Sequence, residues 1–238
     1  MNRALGILLL LTFFGILPAK AQQPALPPEA AAPAVPKLHN FKLLSEEPDG
    51  KGNIIRKVQY DEGIMRVRKT IIMPISIKQG QMVKVSPDTM RKDKVMVLVD
   101  KSDYSLQVYY NSRAIRNYKA VFGPSPQDDK CREGDRCTPE GSFVIQNINP
   151  RSQYNKFMLL NYPNDSSRAK FNRLKAQGLL PASATIGHSI GIHGIWPGGD
   201  DMIEMGVGWT DGCIALRNAD VDELYTLVGV GTKVFIRK

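Results

Sequence analysis

Downstream of residue 94 the chain repeatedly alternates apolar with polar positions, the period expected of half-buried strands. Val95-Met-Val-Leu-Val99 and Ser105 to Tyr110 flank the polar stretch Asp100 to Tyr104, which predicts a hairpin. Further strands are predicted at Arg116 to Val121, Ser142 to Gln146, Met158 to Asn161, Ile190 to His193 and Lys233 to Ile236. Helical spacing is scarcer. One helix is predicted over Ser166 to Gln177, stopping at Gly178. A second is predicted over Asn218 to Val228, with Asn218 as cap, Asp220, Asp222 and Glu223 near its start, and Val221, Leu224, Tyr225 and Val228 on one face. Upstream, Ile54 to Tyr60 and Ile64 to Ile72 read as strands around the turn Asp61-Glu62-Gly63.

These patterns divide the chain into four parts. Residues 93–238 form one mainly β domain of ordinary single-domain size. Residues 40–92 form a small N-terminal β segment. Residues 22–39 are rich in Pro and Ala, with too little bulky apolar surface to fold alone, and read as a tether. Residues 1–21 carry Arg3, an apolar run from Leu5 to Pro18, and Ala19-Lys20-Ala21, the small-x-small form of a signal-peptidase site. That run is short of the ~20 apolar residues of a membrane span, and no second candidate follows. An exported protein of the periplasm or cell-wall space is expected, with no stable membrane anchor after cleavage.

The formal charge is +9, and removal of residues 1–21 takes away Arg3 and Lys20 and no acid. A basic surplus favours anionic partners. Export, and the lack of a basic helix or aromatic ladder, argue against nucleic acid. An anionic wall polymer fits better, and the same surplus also serves solubility. Three cysteines in an exported chain suggest one pair and one free thiol. Cys131 and Cys137 share a polar loop in which a short disulfide is expected, leaving Cys213 unpaired.

Chemistry concentrates in two short segments, Ile190-Gly-Ile-His-Gly194 and Thr210-Asp-Gly-Cys-Ile-Ala-Leu-Arg-Asn218, joined by a glycine-rich loop. A thiol attacks as thiolate, and a neighbouring imidazole can take its proton. His193, at the exit of a strand beside Gly194, is the candidate base for Cys213. The amides of Asp211, Gly212 and Cys213, close to a helix entrance, are candidates to bind a developing oxyanion, and Gly212 permits the tight turn that would aim them. His188, without that context, is read as structural or rim-lining.

These segments resemble the YkuD-like L,D-transpeptidase catalytic domain, whose signature is His-Gly, a variable loop, then Ser/Thr-His-Gly-Cys followed by Asn. His193-Gly194, Thr210, Gly212, Cys213 and Asn218 match it. The resemblance extends to the hairpin Val97 to Tyr110, to Gly134-Asp-Arg-Cys-Thr-Pro-Glu-Gly141 and to Asn161-Tyr-Pro-Asn164. It implies a mainly β sandwich or barrel with one or two short helices, a small N-terminal β extension being added to it. Cys213 would be the nucleophile, His193 the base, Asp211, Gly212 and Gly194 would shape the oxyanion site, and Thr210, Trp209, Arg217 and Asn218 would contact substrate. The implied partner is the peptidoglycan stem peptide, with no cofactor and no metal. Two positions depart from the signature: Asp211 replaces its second histidine, and Ala215 stands where arginine is frequent. Thr-x-Gly-Cys-Ile-Ala is similar to a branch with amidase members, so a hydrolase is the alternative.

Two readings from other classes compete. His188, His193, Asp211 and Cys213 are side-chain types that can ligate zinc, although a strand would send positions 188 and 193 to opposite faces. A wall-binding module with a decayed site is suggested by Asp211 and Ala215, and opposed by retention of both Cys213 and His193.

Overall fold

The computed structural model describes residues 38–51, 53–74, 82–83 and 85–238. The predicted signal peptide and residues 22–37 of the tether lie outside the described residues. Among the described residues there is no helix long and apolar enough to cross a membrane.

The first strands form an antiparallel meander of β1 (Leu38–Pro48), β2 (Asn53–Glu62) and β3 (Met65–Pro74). β1 was not predicted, because its Phe41, Leu43 and Leu44 do not alternate with polar neighbours. It takes in Leu38 and His39, which composition assigned to the tether. The β2–β3 pairing sets Arg56 opposite Ile71, Val58 opposite Lys69 and Tyr60 opposite Val67. Partners across an antiparallel ladder share a face, and Val58, Tyr60 and Ile71 are all buried, so this face is the inner one.

The remaining strands are β4 (Val95–Asp100), β5 (Ser105–Tyr110), β6 (Arg113–Lys119), β7 (Gly141–Ser152), β8 (Asn155–Leu160), β9 (Gly191–His193), β10 (Ile214–Ala215) and β11 (Lys233–Arg237). They make one eight-stranded sheet ordered β10-β9-β8-β7-β11-β4-β5-β6. Alternation explains its packing: Val95, Val97 and Val99 of β4, Leu106 and Val108 of β5, and Val234 and Ile236 of β11 are buried. A bridge between Val121 and Ala215 joins the two ends of this order, so the sheet curls back on itself.

Three helices accompany the strands among the described residues. α1 (Asp165–Ala176) begins at Asn164, whose side chain accepts from Ser167 N. α2 (Asp200–Met205), unforeseen from its mixed sequence, buries Met202 and Ile203 and stops at Gly206 in the left-handed region. α3 (Asn218–Leu227) buries Val221, Leu224 and Leu227. Its cap position is Arg217, not Asn218; the side chain of Asn218 is spent elsewhere, as described below.

Candidate functional site

The short parallel pair β9 and β10 positions the two chemistry-bearing side chains. Ala215 lies opposite His193 and Ile214 opposite Ile192. Residues two apart on a strand share a face, so Cys213, at the head of β10, falls on the face that carries His193. Gly191 completes this face with no side chain, and none is possible: a Cβ there would lie 2.6 Å from the Phe157 ring and 2.8 Å from Met158 O.

His193 is buried. Its Nδ1 is 2.7 Å from Gly194 O. A carbonyl can only accept, so in the neutral ring Nδ1 holds the proton and Nε2 the lone pair. The ring stacks on Tyr154 at 5.0 Å and on Phe157 at 5.9 Å, and meets Trp209 edge-on at 5.5 Å. Phe157 is the register partner of His193 on β8, which explains the stacking. Burial in this aromatic box pushes the imidazole down to about 4, against an opposing pull from the Gly194 carbonyl.

The backbone exit of His193 is fixed by Asn218, whose Oδ1 accepts from Ile195 N at 3.1 Å, and by Tyr154 O, which accepts from Gly194 N at 2.9 Å. Glycine at 194 is a requirement of close approach, because a Cβ would stand 2.4 Å from Asn218 Oδ1. Asn218 therefore acts from the helix start on the strand exit and is not the expected helix cap. Its own N–H donates to Asp200 Oδ1 at 3.0 Å.

Cys213 is partly exposed. Its thiol donates to Ser189 O at 3.5 Å, from a residue with φ of 61°. Burial pushes the thiol up to about 11; the Gly191 amide and Lys130 pull it down, and Asp211 adds the weakest push upward. At neutral pH both the thiol and the imidazole are uncharged.

The turn before Cys213 is tied by Thr210, whose hydroxyl accepts from Gly212 N at 3.2 Å and donates to Cys213 O at 2.7 Å. Thr210 is thus bonded within the turn, and its hydroxyl takes the Gly212 amide. Gly212 has φ of 130° and a Cβ there would lie 2.6 Å from Cys137 O. Arg217 is also engaged, bidentate to Asp220 at 2.7 and 2.9 Å and paired with Glu204 at 3.0 Å. Trp209 is 6% exposed and packs His193. Its buried Nε1 has no partner among the described residues. Asp211, whose direction the sequence left open, pairs with Arg136 Nε at 3.1 Å on the surface.

The Cys131–Cys137 bridge is not formed, and all three cysteines are free. The carboxylate of Asp135 organises this loop instead. It accepts from Cys131 N at 2.7 Å, Arg132 N at 2.9 Å and Cys137 N at 3.0 Å, and pairs with Lys130 at 2.8 Å. Each thiol turns to a local carbonyl, Cys131 to Asp129 O and Cys137 to Asp135 O, both at 3.3 Å. The loop is also anchored by Lys101, fully buried, which pairs with Glu140 at 2.8 Å and donates to Asp128 O at 2.7 Å and Thr138 O at 3.2 Å. Lys101, Tyr154, Phe157 and Arg136 were not singled out from the sequence. Only Lys101 carried a signal, a lone cation directly after an apolar strand. His188 is exposed and bonds Ser189 Oγ at 2.6 Å. Among the described residues no group of three His, Cys, Asp or Glu is placed to hold a metal.

The YkuD profile, described as the L,D-transpeptidase catalytic domain, matches residues 94–236. No curated protein matches the chain. Similar solved structures include an L,D-transpeptidase from Xylanimonas cellulosilytica, with 16% identity over 62% of this chain and 62% of that one, at a TM-score of 0.38. The helical cell shape determining protein Pgp2 of Campylobacter jejuni has 24% identity over 60% of this chain and 47% of that one, at 0.43. An Enterococcus faecium L,D-transpeptidase has 15% identity over 60% of this chain and 50% of that one, at 0.39. The chain thus spans less than two thirds of the length of each.

Proposed function

The chain belongs to the YkuD family, the L,D-transpeptidase catalytic domains, and from that premise we propose that it is an enzyme that takes a peptidoglycan stem peptide onto Cys213 as a thioester. The observation that carries this reading is the placement of Cys213 and His193 on one face of β9–β10, with Nδ1 of the imidazole committed to Gly194 O.

Nε2 is then the atom that accepts the thiol proton. In the resting state the thiol donates to Ser189 O, and on this reading it leaves that bond to meet the ring. Because the thiol sits near 11 and the imidazole near 4, no thiolate–imidazolium pair waits for substrate. The proton moves as sulfur closes on the carbonyl carbon that precedes the terminal D-alanine. The oxyanion falls to the amides left in the turn, Asp211 and Cys213. Collapse breaks the C–N bond, and the imidazolium returns its proton to the departing amine. A side-chain amine of a second stem then attacks the thioester, loses a proton to Nε2, and releases Cys213 as the thiol.

Water in place of the amine gives a hydrolase with the same acyl-enzyme, the alternative raised by the similarity of Thr-x-Gly-Cys-Ile-Ala to a branch with amidase members. The reading also takes the chain to be exported, with residues 1–21 removed and residues 22–37 as a tether to the wall space. Incubation of the protein with purified muropeptides, beside Cys213→Ala, tests it by product mass. A crosslinked dimer from wild type alone is expected, a shortened stem assigns the hydrolase, and identical profiles from both proteins remove the enzyme reading.

A further inference from the structure

The carbonyl that accepts the Cys213 thiol belongs to a residue in a strained conformation. Ser189 O lies 3.5 Å from the sulfur, and Ser189 has φ of 61°, in the left-handed region that is costly for a residue with a Cβ. The segment around it is pinned at both ends. On one side Thr185 O accepts from Glu133 N at 2.8 Å and Ile186 O accepts from the Tyr162 hydroxyl at 3.0 Å. On the other, Ile190 O accepts from Leu160 N at 2.9 Å, beside the ladder of β8 and β9. Residues 187–189 form a short arch between these anchors, with a second left-handed residue, Gly187, at φ of 75°.

Ser189 joins two neighbours across this arch. Its carbonyl meets the thiol, and its Oγ is 2.6 Å from Nδ1 of the exposed His188. Successive side chains of an extended chain point to opposite faces. The left-handed turn at Ser189 lets these two meet, and their bond in return favours that turn, which persists only where its surroundings over-determine it. Among the described residues no other group bonds the Ser189 side chain.

The sulfur has a second neighbour on the same segment. The Gly191 amide, two residues on, favours the thiolate, whereas a carbonyl can accept only from the protonated thiol. Ser189 O and the Gly191 amide therefore act on opposite protonation states of one sulfur. The balance between them depends on whether Ser189 O stays in place.

We propose that His188 is a positioning residue of the site: through Ser189 Oγ it holds the arch in its left-handed turn, and so keeps the Ser189 carbonyl on the Cys213 thiol and the sulfur protonated at rest. This deepens the reading of Cys213 given above and rests on it for the role of the sulfur as nucleophile. A protonated thiol is a poor nucleophile toward any electrophile, so the arch is a latch, and the event that precedes attack is the opening of one hydrogen bond.

The test alkylates the full chain with iodoacetamide at pH 7 and follows the Cys213 peptide, resolved from those of Cys131 and Cys137 by mass mapping. His188→Ala should speed Cys213 about fivefold, the worth of one hydrogen bond, and leave Cys131 and Cys137 unchanged. His188→Asn, which keeps a polar group within reach of Ser189 Oγ, should stay within about twofold of wild type. Glycine adopts φ of 61° without help, so adding His188→Ala to Ser189→Gly should change the rate by less than about twofold. An unchanged or slower Cys213 in His188→Ala overturns the latch, as does a His188→Asn rate equal to that of His188→Ala. Equal acceleration of all three cysteines, which marks general loosening, overturns it too, and so does an undiminished effect of His188→Ala in Ser189→Gly, which marks action without Ser189. Muropeptide turnover by wild type, measured in parallel, judges the acyl-transfer reading separately, because the latch stands or falls on alkylation rates whether or not products form.

Discussion

Replacing His193 by phenylalanine should flatten the response of the fold to mild acid. Burial holds the imidazole near 4, against about 6.5 in an unfolded chain. Between these values the unfolded chain binds a proton that the folded chain refuses, so stability is complete above about 6.5 and falls as pH drops toward 4. The slope is about 1 kcal/mol per pH unit between pH 6 and 5, and the loss reaches about 2 kcal/mol at pH 4.5. Carboxylates whose pKa is lowered, Asp135 among them, titrate below this window and do not confuse it. Urea unfolding of wild type and His193→Phe at half-unit steps from pH 7 to 4.5 isolates the effect. Phenylalanine keeps a ring among Tyr154, Phe157 and Trp209 and forfeits the bond to Gly194 O, so its absolute stability will be lower, but its slope should be shallower by the stated amount. Equal slopes in the two proteins would refute a buried neutral imidazole.

The Cys213 thiol, pushed up to about 11, should be alkylated by iodoacetamide on the order of 10²-fold more slowly than an exposed cysteine at pH 7. The rate should climb about tenfold per pH unit to about pH 10, and a plateau below pH 8 at the Cys213 peptide, resolved from Cys131 and Cys137 by mass mapping, would show a preformed thiolate. Gly194→Ala should cost about 2 kcal/mol through overpacking against Asn218 and Tyr154, read as a lower urea midpoint with unchanged slope. Lys101→Met should cost about 3 kcal/mol by leaving Glu140 and two carbonyls without their partner, and should expose residues 123–140 to proteolysis before the rest of the chain unfolds.

The strands of the large sheet were legible because their valines and leucines alternate against a solvent or polar face, and β4, β5 and β11 needed no information from elsewhere. β10 was not legible. Ile214 and Ala215 are only two residues, made a strand by what lies on either side of them. β1 lacks a clean alternation for the same kind of reason, since its pairing to β2 shifts register twice. At the site, the candidacy of His193 and Cys213 rests on residue type and flanking glycines, which stand in the sequence itself. What surrounds them does not. Phe157 reaches His193 through the register of β8 and Tyr154 from the turn before it, and Arg136 reaches Asp211 across 75 positions of sequence. The assignments of Thr210, Arg217 and Asn218 came from their nearness in sequence to Cys213; the structure gives their polar groups to the turn, to Asp220 and Glu204, and to Ile195. The expected disulfide rested on the spacing of Cys131 and Cys137, and the intervening Asp135 gathers the same loop without it.

The junction of Val121 with Ala215 bears on how a peptide can arrive. Ala215 exchanges hydrogen bonds with Val121 at 2.9 Å in both directions while its other side faces β9. The strand beside Cys213 consequently has no open edge on which an incoming chain could dock as an added strand. A peptide that reaches this site would therefore lie across the ends of the loops, clear of the sheet's own ladder.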